Sequence, residues 1–262
     1  PKVMALAGEG VRSLNLGEIW HFFEEELRYP IDLIEASEIS TVALESYNVI
    51  FLTEGYYSIG ESTMEKINDW VSAGGRLVAI GSAINKLSGK DGFEIESKGT
   101  PEPDTSEKEP PVHHPEPYAG SDRRSMSDDI PGSIFQTTLD TTHPLCFGLG
   151  ETYWTLKSTT SNYQWLEEGG NAIYLDDSPR YYGFVGYRAL EKTKNTLIAG
   201  QEQIGGGSVV YFVDNPMFRS FWNLSTTAAK ASLISNRSMS STVRPARSST
   251  FLVAGVGPVS MM

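Results

Sequence analysis

Three short runs constrain this chain more than anything else in it. "NVIFLT" (48–53), "RLVAIG" (76–81) and "SVVYFV" (208–213) are apolar at consecutive positions, not at every second one. A strand of that kind hides both faces, which is the condition of a parallel sheet with helices packed on either side. The intervening segments supply the helices. Leu16, Ile19, Trp20, Phe23 and Leu27 recur at helical spacing, and Pro30 is expected to close that helix. Met64, Ile67, Trp70 and Val71 form the inner face of a second helix, with Ser62-Thr-Met-Glu65 read as its capping box and Gly74-Gly75 as its end. Further strands at 3–7 and 32–36 complete the alternation. The predicted fold class is α/β: a doubly wound, mostly parallel sheet.

Beyond residue 90 the periodicity stops. Six of the fourteen prolines lie in 101–117, among Glu, Asp, Ser and Lys. Such a composition buries too little apolar surface to offset chain ordering, so 91–130 is expected to be a flexible insert. Strand-like runs resume at 134–139, 153–156, 172–175, 181–185 and 196–200, before Gly205-Gly-Gly207 opens "SVVYFV". They read as an antiparallel elaboration that returns to the parallel sheet. Residues 1–90 and 131–222 are therefore two parts of one domain. From 223 to 262 there is no acidic residue, only Lys230, Arg237, Arg244 and Arg247 among many serines and threonines. No period is usable there, and a low-complexity, disordered tail is expected.

Composition narrows the partners. A net charge of -12 over 262 residues argues against nucleic acid, whose phosphates require a basic surface. No apolar run reaches the length that spans a bilayer. One cysteine excludes an internal disulfide. The chain starts at Pro1 and enters a strand almost at once, so it is expected to be a piece of a longer polypeptide with any targeting segment upstream.

"GEGVRSLNLGEIWHFFEEELRYPI" (8–31), "SDDIPGSIFQTTLDTTHPLCFGLG" (127–150) and "GGGSVVYFVDNPMFRSFW" (205–222) resemble the C-terminal region of bacterial zinc carboxypeptidases of the carboxypeptidase-A type. The resemblance runs to Trp222. In that group the region follows the peptidase domain and is similar to the flavodoxin-like fold of class I glutamine amidotransferases. The resemblance implies one partner, the peptidase domain of the same polypeptide, and an exported parent, secreted or periplasmic.

Amidotransferases place a cysteine at a sharp strand-to-helix turn and bring a histidine from a later strand. "RLVAIGSAINKL" puts Gly81, or at best Ser82, at that turn, and Ser82 reads as a cap of the following helix. The one cysteine, Cys146, lies in "THPLCFGLG", and after "VVYFV" the chain continues Asp214-Asn215-Pro216 where the histidine would stand. Both members of the thiol–imidazole pair are missing. His21-Phe-Phe-Glu24 has the spacing of the first two zinc ligands of the peptidases, with His143 far downstream. It sits on an amphipathic helix, however, without the open coordination position and glutamate base of a catalytic site. No catalytic residue, metal or cofactor is predicted.

Ligands of open α/β sheets bind beyond the carboxyl ends of the strands. That rim should gather Glu9, Glu54, Tyr56, Gly81, Ser82, Asp214 and Asn215, which could bind a sugar, a cation or a peptide amine, or could only cap helices and satisfy turns. "GGGSVVY" precedes a strand and is no phosphate cradle. "YYGFVGY" (181–187) reads as sheet surface or a contact with a neighbouring domain. The chain is thus read as a non-catalytic accessory domain of a zinc carboxypeptidase. The alternatives are a divergent hydrolase using Ser82 or Cys146, and a carbohydrate- or peptide-binding module.

Overall fold

The structure, a computed structural model, describes residues 1–99 and 118–220. Its strands are β1 (Val3–Ala7), β2 (Asp32–Glu35), β3 (Val49–Leu52), β4 (Arg76–Ile80), β5 (Ser133–Leu139), β6 (Tyr153–Lys157), β7 (Gly170–Leu175), β8 (Tyr181–Tyr182), β9 (Thr196–Ile204) and β10 (Gly207–Phe212). The α-helices are α1 (Ser13–His21), α2 (Glu61–Ser72), α3 (Ser121–Ser127) and α4 (Tyr187–Thr193). The strands form one sheet in the order β2-β1-β3-β4-β10-β9-β7-β5-β6, with β8 added to β5. From β2 across to β10 neighbours run parallel. From β10 outward through β9, β7 and β5 to β6 they run antiparallel. This is the doubly wound α/β sheet with an antiparallel elaboration that the apolar runs predict.

Both faces of the central strands are covered. Val78 and Ile80 of β4 and Val210 and Phe212 of β10 pack in one layer with Ile19, Phe22 and Phe23. Their neighbours Leu77, Ala79, Val209 and Tyr211 pack in the other with Met64, Ile67, Trp70 and Val71 of α2. Each Val, Leu, Ile, Phe or Met side chain among them, fully withdrawn from water, contributes about 1.5–3 kcal/mol.

Several local expectations are corrected. The helix expected over 16–27 is α1 followed by a π-type turn, Phe22–Glu26. The wider turn directs both Phe22 and Phe23 into the core, edge-on to each other at 5.7 Å. Arg28, at φ +51°, ends it two residues before Pro30. The capping box at Ser62 does not form: α2 starts at Glu61, after an extended Gly60 whose carbonyl accepts the Thr63 and Met64 N–H groups. The glycine pair does follow the helix end: α2 stops at Ser72, Gly74 turns the chain at φ +117°, and a Cβ at Gly75 would lie 2.4 Å from the Trp70 ring. The strand expected over 181–185 shortens to β8, and β9 runs past residue 200 to Ile204. The expected flexible insert is packed at both ends. Phe93 and Ile95 are buried and α3 is helical, whereas 100–117 lies outside the described residues, as does the tail at 223–262. No described helix is long and apolar enough to cross a membrane.

Phe51 of β3 is buried against the Phe23 ring at 5.4 Å. Phe51→Ala should lower the free energy of unfolding by about 3–5 kcal/mol, read in urea melts as a lower midpoint with an unchanged slope.

Candidate functional site

β1, β3, β4 and β10 are parallel neighbours, so their carboxyl ends form one rim. β4 leaves the sheet through Gly81, whose φ of +55° is left-handed. A strained turn of this kind presents the nucleophile in enzymes that carry an elbow. An added Cβ at Gly81 would lie 2.6 Å from Cδ and Oε1 of Glu54. Glycine is therefore required here twice, by the backbone and by the carboxylate lying over it. The chain then continues as a 3-10 segment, Gly81–Lys86, in which Ser82 caps nothing, contrary to expectation.

Glu54 follows β3 and is 8% exposed. Its Oε1 accepts from Asn15 Nδ2 at 2.9 Å, and its Oε2 accepts from Ser82 Oγ at 3.4 Å. The Ser82 backbone N–H also donates to this carboxylate. Burial pushes the Glu54 carboxyl above its ordinary value; the Arg12 charge and the Ser82 hydrogen bonds oppose the shift, and Glu18 adds to it. At an elbow, the N–H following the nucleophile is an oxyanion donor. In this chain a permanent carboxylate already occupies it.

Glu54 and Gly81 line a cavity of about 710 Å³. The first helix contributes Asn15, Glu18 and His21, and the segment after β10 contributes Asp214, Asn215 and Arg219. Asp214 is paired at 3.5 Å with Lys157, which is 0% exposed. Thr155 Oγ1 donates to Asp214 at 2.8 Å, and Lys157 Nζ donates to the Ser161 carbonyl at 2.9 Å. A buried pair held this way is compensated, so Asp214 is not a free acid. Glu18 accepts from Asn215 Nδ2 at 2.6 Å and from the Arg219 N–H at 3.0 Å, tying α1 to the chain beyond β10.

Four of the seven rim residues read from the sequence, Glu54, Gly81, Asp214 and Asn215, line this cavity. Ser82 lies behind Glu54. Tyr56 is exposed beside the cavity, its hydroxyl accepting from Arg12 Nη2 at 2.7 Å. Glu9 is exposed and not among the lining residues. Sequence reading missed Arg12, Asn15, Glu18 and Arg219. A signal for the first three existed, since the turn following β1 must also meet the rim; nothing in the sequence marked Lys157 as buried. His21 and Glu24 are exposed, while His143 packs at Gly170 of β7 and accepts the Leu145 N–H on Nδ1. Among the described residues no group of three His, Cys, Asp or Glu side chains is placed to hold a metal. Cys146 is buried, its Sγ donating to the Ala172 carbonyl at 3.2 Å, and burial pushes its thiol up to about 11. That shift opposes nucleophilic use.

The fold is a doubly wound α/β sheet, and solved structures of low sequence identity share it. A putative ThuA-like protein from Parabacteroides merdae aligns over 90% of this chain and 91% of its own, with a TM-score of 0.52 and 11% identity. The mmIFT52 N-terminal domain aligns over 89% and 94%, at 0.53 and 10%. A glutamine amidotransferase from Thermotoga maritima aligns over 88% and 89%, at 0.49 and 9%. Longer enzymes match over part of their length: the chain spans 30% of a β-galactosidase from Bacillus circulans sp. alkalophilus and aligns over 86% of itself, at 0.47 and 13%. These likenesses are of fold alone. No family model matches the chain, and no curated protein matches it.

Two outcomes follow from the Glu54–Gly81 contact. Because the folded-state pKa of Glu54 lies above its ordinary 4.5, the folded protein holds the extra proton between those values. Its contribution to stability is therefore full below the window and lost as pH rises through it. Glu54→Gln lacks this dependence, so its melting temperature relative to wild type should rise from about pH 4 to about pH 7. Gly81→Ala should destabilise through backbone strain and collision. In a Glu54→Ala background the collision disappears, and the double-mutant cycle should return a coupling of about 0.5–3 kcal/mol.

Proposed function

We propose that this chain is a non-catalytic, amidotransferase-like accessory domain of a zinc carboxypeptidase, packing against the peptidase domain of the same polypeptide in a secreted or periplasmic protein. One observation carries the non-catalytic reading: the turn that would hold a nucleophile is glycine, and the Glu54 carboxylate fills both the missing side chain's place and the Ser82 N–H. Acyl transfer there would have nothing to attack with and no free donor for the developing oxyanion. The parent is supported by the three phrases that resemble the carboxypeptidase C-terminal region. Two of them, 8–31 and 205–222, contain Arg12, Asn15, Glu18, Asp214, Asn215 and Arg219 of the cavity lining, while Glu54, Gly81 and the residues after β6 lie outside the three phrases.

A serine hydrolase is the second reading, favoured by the Ser82 hydroxyl donating to a desolvated carboxylate. The 3.4 Å separation is long, and no histidine hydrogen-bonds to Ser82 among the described residues. The purified chain should give no fluorophosphonate adduct and no glutaminase or peptidase turnover. Labelling abolished by Ser82→Ala would establish the hydrolase instead. The coding sequence upstream of Pro1 should contain a metallopeptidase domain.

A further inference from the structure

Charge is ordered by depth in the cavity. Glu54 is nearly buried and Glu18 half-buried, whereas Arg12 and Arg219 are exposed at the mouth. Asp214 is neutralised by Lys157, and Glu18 is held by Asn215 and the Arg219 N–H. Glu54 differs from both. Its donors are an amide, a hydroxyl and a backbone N–H, all neutral. Arg12 influences it through space but turns its guanidinium to Tyr56, 2.7 Å from the hydroxyl and 5.2 Å from the ring centroid.

A buried carboxylate with neutral donors alone lacks the compensation that burying charge requires. A cation entering from the cavity would supply it. A metal ion needs several anionic or imidazole ligands, and the described residues bring no three of these together. An ammonium group needs only acceptors, and Glu54 lines the space together with Ser158 and Thr159, whose hydroxyls can accept.

We propose that the cavity binds its ligand through a primary ammonium group seated on the Glu54 carboxylate over the Gly81 turn. Lysine side chains and peptide N-termini share this chemistry. The inference rests on the non-catalytic reading, because it gives Glu54 a standing role as ligand seat.

Calorimetric titration of the whole chain tests it with N-acetyl-lysine amide, glycinamide and the amine-free control N-acetyl-norleucine amide. At least one amine should bind saturably and the control should not. Binding only of the lysine derivative assigns the ligand to side chains, and binding only of glycinamide assigns it to peptide N-termini. Glu54→Gln should weaken the binding roughly ten-fold or more, while Glu61→Gln, on α2 and outside the cavity, should leave it unchanged. Equal binding of the control, indifference to Glu54→Gln, or no saturation by either amine in the millimolar range overturns the proposal. If Glu54→Gln does not fold, the Asn15 side-chain amide signals of the wild type decide: they should shift with the bound amine, and unmoved signals overturn it. Turnover of an acyl substrate would remove the non-catalytic reading. Absence of both turnover and binding would remove this inference alone.

Discussion

Glu54 lies over the turn that follows β4 because residue 81 contributes no side chain and its backbone is left-handed. The rest of the rim is arranged around that contact. Asn15 reaches from α1 to one carboxylate oxygen and Ser82 to the other. The Glu54 carbonyl accepts the Arg12 N–H at 2.8 Å, and the Tyr56 N–H returns to the Gly10 carbonyl at 2.7 Å. Gly55 permits this lacing, since a Cβ there would lie 2.3 Å from the Gly10 oxygen. The loops after β1, β3 and β4 are thereby joined by hydrogen bonds whose partners are far apart in the chain.

The antiparallel half of the sheet is part of the same site. Lys157 ends β6, at the far edge of the sheet order from β10, yet it pairs with Asp214 just past β10. β6 must therefore fold back over the cavity, bringing Leu156, Ser158 and Thr159 to its wall. The Glu18 contacts close the other side by holding α1 against Asn215 and Arg219. What results is a concave space lined by charged and polar residues, with the Glu54 carboxylate lying over the Gly81 turn.

Legibility followed the range of the forces involved. β3, β4 and β10 stand within one residue of their predicted bounds, because continuous burial leaves its mark on every position of a strand. The start of α2 was misplaced by a local rule: Ser62 and Glu65 have capping-box spacing, but Gly60 already supplies the extended residue that precedes the first turn. The helix over 16–27 changed type at Phe22, where burying two adjacent phenylalanines outweighed regular α spacing. Phe93 and Ile95 were absorbed into an expected loop because two apolar residues among polar ones make no period, although each is buried.

From the residue order alone came the parallel core, the glycine at the turn after β4 and the lack of a thiol–imidazole pair there. These depend on residue type and on spacings of a few positions, which a linear chain records. Folding decided that Glu54 sits over Gly81, that Asp214 is neutralised and that Arg12, Asn15, Glu18 and Arg219 surround the space. Partners such as Asn15 with Glu54, 39 positions apart, and Asn215 with Glu18, 197 apart, meet only when packing of the two core layers sets the distance between strand ends.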